Sequence, residues 1–464
     1  MNYLTADFGS TYTKITLIDA SALGRVVGTA TAFTTIETNV MDGFNKALEN
    51  LRAKIGEFSY DRLLCCSSAA GGLKMVALGL VPELTAKAAK MAASSAGAKV
   101  VKTYSFEISK AEEQEIFDIN PDLVLLCGGT DGGNKDVIIA NARRLCGIKR
   151  NFSVIVAGNK SAYDELQEIF SHSDKNYVIT QNVMPEFNKL NIEPAKQQIK
   201  DLFISRIIEA KGLSEVQSMC YGEIIPTPLA VMTGCELLSR GTKHENGIGD
   251  LMAVDLGGAT TDVYSMADGK PVMDNVTLKG LPEPYAKRTV EGDLGMRYSL
   301  PSLVEEIADM EQFSSDLGVE EAVAREWISL CLKDPNTLAE KSTPQQRIEE
   351  GLARQAIRSA IERHCGVYQE AYTMCGLVYT LTGKDLQEVP YVVGIGGAII
   401  NSQNPAFILS GAKPSKTDKA LFAKPKDPKY LLDKQYIFAS MGLLSSVDKD
   451  MALRIMKQEI TKVE

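Results

Sequence analysis

Apolar and polar positions near the start of the chain predict three strands and a helix. Residues 3–19 read as a strand, a small polar turn and a second strand, because residues 14–18 alternate polar and apolar side chains. Residues 25–33 predict a third strand. Apolar side chains then recur at helical spacing, at Met41, Phe44, Leu48, Leu51 and Ile55.

From about residue 60 to residue 212 the pattern changes to an alternation of strands and helices. Strands are predicted at 62–66, 99–104, 123–127, 153–157 and 177–180. Helices are predicted at 82–96, 110–117, 135–146, 161–170 and 194–211. Such alternation is typical of a mostly parallel sheet with helices on both faces.

The second half repeats a pattern from the first. A helix is predicted at 228–240, strands at 251–254 and 263–266, mostly helix over 302–383, and a buried strand at 391–395. Residues 404–429, rich in Pro, Lys and Ser, predict an exposed loop region, and helices are predicted at 436–447 and 448–461. A strand ending in aspartate, a Gly/Thr turn and a second strand occur at Asp7 and again at Asp255.

Composition narrows the class of protein. The chain has 464 residues, 45% apolar and 23% charged, which is typical of a soluble globular protein of roughly three domains. Fifty basic against 59 acidic residues give a net charge of −9, which argues against nucleic acid as a partner. No apolar run approaches the ~18 residues of a membrane span, and the first residues do not resemble a signal peptide. Nine cysteines without Cys-x-x-Cys spacing and only three histidines favour free thiols over zinc, so we expect a cytoplasmic protein without membrane association.

The repeated turn has the chemistry of a phosphate site. The first copy is Asp7-Phe-Gly-Ser-Thr-Tyr-Thr-Lys14 and the second is Asp255-Leu-Gly-Gly-Ala-Thr-Thr-Asp262. Glycine allows a sharp turn, backbone N–H groups can then receive phosphate oxygens, and a carboxylate can hold Mg²⁺ through water. Lys14 adds a positive charge. Either copy alone could be an ordinary hairpin, but two copies could grip a polyphosphate from both sides.

These motifs resemble the superfamily that contains actin, hexokinase and the heat-shock chaperone ATPases. The two turns resemble its first and second phosphate motifs, and Val393-Gly-Ile-Gly-Gly-Ala398 resembles its adenosine motif. Residues 228–238 and 439–444 resemble its two connecting helices. The resemblance implies an α/β fold in which two RNase-H-like lobes flank an ATP cleft, with an inserted α/β subdomain.

The same resemblance implies ATP and Mg²⁺ as cofactors and assigns roles to individual positions. Asp7, Lys14 and Asp255 are the implied catalytic residues, and Asp7 and Asp255 organise the metal. The implied nucleotide-binding positions are Gly9, Ser10, Thr11, Tyr12, Gly257, Gly258, Ala259, Thr260, Thr261, Glu291, Gly394, Gly396 and Gly397. The implied organisation is a first lobe at 1–59 and 213–250, an insert at 60–212, a second lobe at 251–435, and C-terminal helices at 436–464 closing back on the first lobe.

A closer resemblance is to the MutL-like family of glutamate-mutase-associated ATPases, which is distinct from the mismatch-repair protein of that name. It rests on residues 121–134, 226–231 and 287–298. The resemblance implies a reactivating factor that binds an adenosylcobalamin-dependent mutase of the glutamate mutase or aminomutase type and releases its damaged cofactor. No histidine stands in the Asp-x-His-x-x-Gly setting of cobalamin-binding domains, so we expect the chain to bind the mutase and not the cofactor.

Several alternatives stay open. The loop Gly128–Asn134 precedes a predicted helix and could bind an anion or simply form a tight turn with Asn134 as N-cap. Arg288, Glu291 and Asp293 could contact ribose or base, or serve capping and surface roles. A small-molecule kinase and an actin-like filament ATPase are the alternative functions, and the sequence does not give the oligomeric state.

Overall fold

The computed structural model describes residues 1–9, 11–21, 24–35, 39–68, 74–211, 213–374 and 376–463. The chain falls into two compact units. Unit 1 comprises Met1–Val231 with the short segments Gly280–Pro282 and Gly442–Val447. Unit 2 comprises Met232–Lys279, Glu283–Met441 and Asp448–Glu464.

Unit 1 begins with a sheet packed on one helix. Its first elements are β1 (Asn2–Phe8), β2 (Tyr12–Asp19), β3 (Arg25–Phe33), α1 (Val40–Ile55) and β4 (Arg62–Ser67). β1, β2 and β3 are antiparallel neighbours, and β4 runs parallel to β1. Phe44 and Leu51 of α1 pack against this sheet, and the Asn39 side chain caps the start of α1.

The inserted segment forms its own parallel sheet. Its elements are β5 (Lys74–Gly79), α2 (Lys87–Ser95), β6 (Lys99–Ser105), α3 (Lys110–Ile119), β7 (Leu123–Leu126), α4 (Asp136–Gly147), β8 (Ser153–Val156), α5 (Tyr163–Ser171), β9 (Tyr177–Ile179) and α6 (Glu193–Lys211). The strand order is β6-β5-β7-β8-β9, and every pairing is parallel. Met75 and Ala77 face one core while Val76 and Leu78 face the other, so helices cover both faces as predicted.

The chain then returns to the first sheet. α7 (Ser214–Met219) leads to β10 (Ile225–Pro226), which pairs in parallel with β4, and α8 (Thr227–Arg240) follows directly. The strand predicted at 62–66 is present as β4, but it pairs with β1 and does not belong to the sheet of the insert. β5 was missed, because a short apolar run next to glycines does not reveal its period.

Unit 2 is built on a second sheet and a large helical core. Its remaining elements are β11 (Leu251–Leu256), β12 (Thr261–Met266), β13 (Val276–Lys279), β14 (Ala286–Glu291), α9 (Leu300–Glu305), α10 (Met310–Asp316), α11 (Glu321–Lys333), α12 (Pro344–His364), β15 (Val367–Thr373), β16 (Gly376–Thr382), β17 (Tyr391–Ile395), α13 (Gly397–Ile400), α14 (Pro405–Leu409), β18 (Leu421–Phe422), β19 (Lys429–Leu432), α15 (Phe438–Leu444), α16 (Lys449–Glu459) and β20 (Thr461–Val463). The main sheet has the order β14-β12-β11-β17-β19-β20. Many residues of the core that packs against this sheet come from α12.

The two main sheets share one topology. In unit 1 the order β3-β2-β1-β4-β10 has three antiparallel strands followed by two parallel ones. In unit 2 the order β14-β12-β11-β17-β19 has the same directions. Read along the chain within each unit, both are 3-2-1-4-5, which is the RNase-H-like arrangement. The predicted fold class, two RNase-H-like units with an inserted α/β subdomain, is therefore confirmed.

Unit 2 also corrects two predictions. Residues 367–382 form a hairpin, β15–β16, in a small sheet of order β13-β16-β15-β18, where the sequence pattern predicted helix. The predicted exposed loop region at 404–429 is largely packed: Ile408 and Leu409 belong to the unit 2 core, and Lys424 is fully buried.

The predicted domain boundaries stay a prediction, although several segments group differently from it. Residues 232–250 belong to unit 2, and of the C-terminal region only Gly442–Val447 belongs to unit 1. β20, which was not predicted, adds an antiparallel edge strand to the sheet of unit 2. None of the helices in the described ranges combines the length and apolar character needed to cross a bilayer.

Candidate functional site

The first phosphate-type turn joins β1 to β2 in unit 1. Asp7 is the penultimate residue of β1 and lies opposite Lys14 of β2. The turn is tight, because Gly9 N–H donates to the carbonyl of Tyr12 at 3.1 Å, and a Cβ on Gly9 would lie 2.5 Å from that oxygen. The Thr11 carbonyl accepts from the N–H of Thr34, the residue directly after β3. Ser10, a predicted nucleotide-binding residue, lies outside the described residues.

Asp7 is held by side chains from two other elements of unit 1. Asp7 is 8% exposed. The Thr227 hydroxyl, at the first residue of α8, donates to its Oδ1 at 2.5 Å. The Cys66 thiol of β4 donates to the same oxygen at 3.5 Å. Burial, and then the charge of Asp7, raises the pKa of the Cys66 thiol well above its usual value, so this cysteine is a neutral neighbour and not a nucleophile.

The second turn joins β11 to β12 in unit 2. Gly257 N–H donates to the Thr260 carbonyl at 2.9 Å, which repeats the bond made by Gly9. The Gly258 carbonyl accepts from the N–H groups of Arg297 and Tyr298, and the Thr261 hydroxyl donates to the Leu294 carbonyl. The segment 294–298 therefore fixes the shape of this turn.

Asp255, near the end of β11, lies near several polar groups, of which Asp433 was not identified from the sequence. It lies opposite Asp262, whose carboxylate forms a 2.6 Å ion pair with the buried Arg288 of β14. Asp433, just after β19, is buried and accepts from the N–H groups of Ile437 and Phe438 at the start of α15. Burial, and then the charges of Asp255 and Asp433, raises the pKa of Tyr436 well above its usual value. Asp433 also ends a strand, and that signal could have identified it.

The adenosine-type glycines lie beside the second turn. β17 pairs in parallel with β11, so Ile395 lies opposite Asp255. Gly396 has a φ of +105°, and a Cβ there would lie 2.3 Å from the Leu256 carbonyl oxygen. Gly397 begins α13, and a Cβ there would lie 2.9 Å from the Tyr436 hydroxyl. Within unit 2 the structure thus brings together the turn at 257–261 and the predicted glycines at 394, 396 and 397.

Glu291 lies at the end of β14, opposite Thr261 in the ladder, and its side chain pairs with Arg363 at 3.1 Å. Arg363 also pairs with Asp293 and Glu306. Arg288, in contrast, is buried against Asp262. Of the three residues that the sequence offered for ribose or base, only Glu291 and Asp293 are therefore placed near the surface.

The loop Gly128–Asn134 is held by bonds within the insert. The Asn159 side chain accepts from Gly132 N–H at 3.0 Å and donates to the Gly133 carbonyl at 2.9 Å. The Asn182 side chain donates to Asp131 at 2.9 Å. α4 begins at Asp136, and Asn134 accepts from Val137 N–H. These bonds match the tight-turn alternative, except that the N-cap position of α4 is Lys135 and not Asn134.

His364 and the cysteines were the other candidates for reactive groups, and their surroundings are those of residues that serve the structure. His364 is fully buried, and its ring nitrogens lie 2.8 Å from the hydroxyls of Thr289 and Ser265. The eight cysteines within the described ranges are free thiols. No group of three or more potential metal-binding side chains occurs among the described residues.

Comparison with known proteins then decides the family. The family model described as "MutL protein" matches residues 3–460. The chain belongs to the MutL family. A curated member, "Protein MutL" from Clostridium tetanomorphum, is 46% identical over 465 residues and covers 99% of both chains. The family resemblance stated from the motifs is confirmed.

Solved structures matched to this MutL-family chain are distant. They include acetone carboxylase in its nucleotide-free form (13% identity, 96% of this chain and 70% of that chain, TM-score 0.40). The activator of 2-hydroxyisocaproyl-CoA dehydratase from Clostridium difficile with bound ADPNP matches at 10% identity over 100% of both chains, with a TM-score of 0.31. A glycerol dehydratase reactivase matches at 11% identity over 96% and 99%, with a TM-score of 0.32. The family assignment rests on the family model and the curated member.

The carboxylates beside the two turns of this MutL-family chain suit Mg²⁺ better than a metal that is bound by protein ligands alone. Mg²⁺ is usually held through one or two carboxylates together with substrate phosphates. Each of the two turns follows one strand-end carboxylate, Asp7 or Asp255, and the described residues contain no larger metal-ligating cluster. The residues present are therefore compatible with a cation that is bound together with a phosphate ligand.

Proposed function

We propose that this MutL-family protein binds and hydrolyses ATP and uses the cycle to reactivate an adenosylcobalamin-dependent mutase. The observation that carries the first part is the repeated hairpin. Asp7 and Asp255 occupy equivalent ends of equivalent strands in two sheets of the same topology, and each is followed by a glycine-bearing turn closed by the same N–H to carbonyl bond. The family membership supports the second part.

The proposed roles follow from the chemistry of the side chains. Asp7 and Asp255 would hold Mg²⁺, which when bound neutralises phosphate charge. Lys14 would contribute a positive charge to the phosphates. The remaining predicted residues would contact phosphate through the two turns, and the nucleoside through Glu291 and the glycines in and directly after β17: Gly9, Ser10, Thr11, Tyr12, Gly257, Gly258, Ala259, Thr260, Thr261, Glu291, Gly394, Gly396 and Gly397.

Catalysis in this proposal consists of positioning and electrostatics. Phosphoryl transfer to water needs an oriented nucleophile and compensation of the charge on the phosphoryl oxygens. Asp255 or its neighbours would orient the attacking water. Lys14 would compensate negative charge, and the backbone N–H groups of the turns would hold phosphate oxygens.

The proposed partner is a subunit of a mutase of the glutamate mutase or aminomutase type. ATP binding and hydrolysis would shift the protein between states of different affinity for the mutase, and that difference would loosen the damaged cofactor. The insert and residues 404–429 are the candidate contact surfaces for the mutase, and the insert forms a separate parallel sheet with its own two cores.

The first experiment tests the nucleotide site. We expect ATP with Mg²⁺ at about 100 times Kd to stabilise the protein by about 2.7 kcal/mol, and we expect hydrolysis to release phosphate. Asp7→Asn and Asp255→Asn should each fold and lose most hydrolysis, while the exposed control Asp427→Asn should keep it. A melting curve that ATP and Mg²⁺ do not move at any concentration, or two Asn variants with wild-type turnover, would refute the site.

The second experiment tests the partner. A mutase inactivated during turnover is mixed with this protein, ATP, Mg²⁺ and fresh adenosylcobalamin. Recovery should require every component and fail with a non-hydrolysable ATP analogue. Recovery of no candidate mutase from the source organism would refute the proposal; a phosphorylated metabolite would then favour a kinase, and ATP-dependent pelleting a filament protein.

A further inference from the structure

We infer that Thr227 is a positioning residue for Asp7, an inference that rests on the proposed ATP hydrolysis. The Thr227 hydroxyl donates to Asp7 Oδ1 at 2.5 Å. The two residues are 220 positions apart in the chain, and both belong to unit 1. A hydrogen bond to a carboxylate is among the stronger ones in proteins, so this contact restricts rotation of the Asp7 carboxylate.

The backbone around Thr227 is held in place from two sides. Pro226 ends β10 and pairs with Ser67 of β4, directly after the residue that also touches Asp7. Gly97, just after α2 of the insert, has a φ of +89°, and a Cβ there would lie 3.0 Å from Pro226. Pro228 fixes the φ of the second residue of α8, where a proline costs no helical hydrogen bond. The hydroxyl therefore comes from a rigid segment and not from a mobile loop.

The contact defines which oxygen of Asp7 can act on a ligand. Thr227 and Cys66 both donate to Oδ1, and the cysteine contact is the longer and weaker one. Oδ2 is then the oxygen through which Asp7 would approach a cation or its bound water. Removal of the Thr227 hydroxyl would leave the carboxylate in place but free to rotate, so the effect should fall on turnover and on the Mg²⁺ requirement more than on folding.

The test compares Thr227→Val, which removes the hydroxyl at nearly constant volume, with Thr227→Ser, which keeps it. The matched control is Thr5→Val. Thr5 is a buried threonine of β1 whose hydroxyl donates to the Thr16 carbonyl. For each protein one measures the melting temperature, kcat, KM for ATP, and the Mg²⁺ concentration for half-maximal rate.

We expect Thr227→Val to lower kcat by about 10- to 100-fold and to raise the Mg²⁺ requirement, with KM for ATP within about twofold of wild type. Thr227→Ser should restore most of kcat, and Thr5→Val should keep wild-type kinetics. Wild-type turnover in Thr227→Val, or an equal loss in Thr227→Ser and Thr227→Val, overturns the positioning role while ATP hydrolysis stands. Absence of hydrolysis in the wild-type protein overturns the proposed function itself, and the positioning role with it.

Discussion

Replacement of Lys424 by methionine tests whether the segment at 404–429 is packed as the structure describes. Lys424 is 0% exposed, and its ammonium group lies 2.7 Å from Glu362 and 2.9 Å from Asp418. Arg358 pairs with the same two carboxylates at 3.1 and 2.9 Å but is partly exposed. Lys424→Met keeps a similar length and removes the charge, so two carboxylates would share one arginine.

The expected loss of stability is a balance of two large terms. At an effective dielectric near 20, each contact of Lys424 corresponds to about 6 kcal/mol of Coulomb attraction. Transfer of the ammonium group out of water opposes this by several kcal/mol. Because the substitution removes one partner and leaves the others, we expect a net destabilisation of about 3–5 kcal/mol.

Urea unfolding followed by tryptophan fluorescence provides the assay, since Trp327 is the single tryptophan and lies in the same core as Ile408 and Leu409. The control is Lys413→Met, which breaks a 3.0 Å pair with Asp427 whose side chains are 36% and 94% exposed. That loss should stay below about 1 kcal/mol. If Lys424→Met costs no more than Lys413→Met, the segment is not packed as described and our reasoning is refuted.

Two further predictions concern His364 and the glycine before α13. Burial and the neighbouring lysines hold the pKa of His364 well below its usual 6.5. Between the lowered pKa of the folded state and 6.5 the unfolded state binds the proton and the folded state does not, so we expect stability to fall by up to about 1.4 kcal/mol per pH unit as the pH drops through this range. His364→Gln should lose this component in urea titrations across pH. An unchanged pH slope in that variant would contradict the assignment. Gly396→Ala should destabilise the protein by more than the ~1–3 kcal/mol of backbone strain, because the new Cβ would meet the Leu256 carbonyl. The control is Gly376→Ala, which has a similar φ of +111° and open space around it, so it measures the strain alone. Equal losses in the two variants would disprove the close approach.

Sequence reasoning identified the features that are formed by residues close together in the chain. The strand, aspartate and glycine turn at Asp7 and Asp255 are contiguous in the chain, so their pattern could be identified directly, and their repetition pointed to two similar lobes. The helices of the insert follow from periodicity in the same way. The glycine at 396 was also identified, because it continues a short buried strand.

What sequence reasoning missed depends on distant partners. Thr227 has no local feature that indicates a carboxylate contact, since Asp7 is 220 residues away. Lys424 lies among lysines and prolines that are usual in exposed loops, and its burial depends on Glu362, 62 residues earlier. The strand β15 follows the long helix α12 after only Cys365 and Gly366, so the helical pattern was extended too far.

The position of the insert in the chain has a consequence for synthesis of the protein. β1 to β4 are synthesised before the insert, but β10, which completes their sheet, is synthesised only after the whole parallel sheet of the insert. In unit 2, β11 likewise lacks its parallel neighbour until β17 has been synthesised, because Ile395 of β17 pairs with Asp255 across 140 positions of sequence. Such long-range pairing slows folding, and domains tend to fold in the order in which they are made. A nascent chain that stops before β10 therefore exposes β4 as a bare parallel edge, and an edge of this kind readily pairs with a strand from another chain.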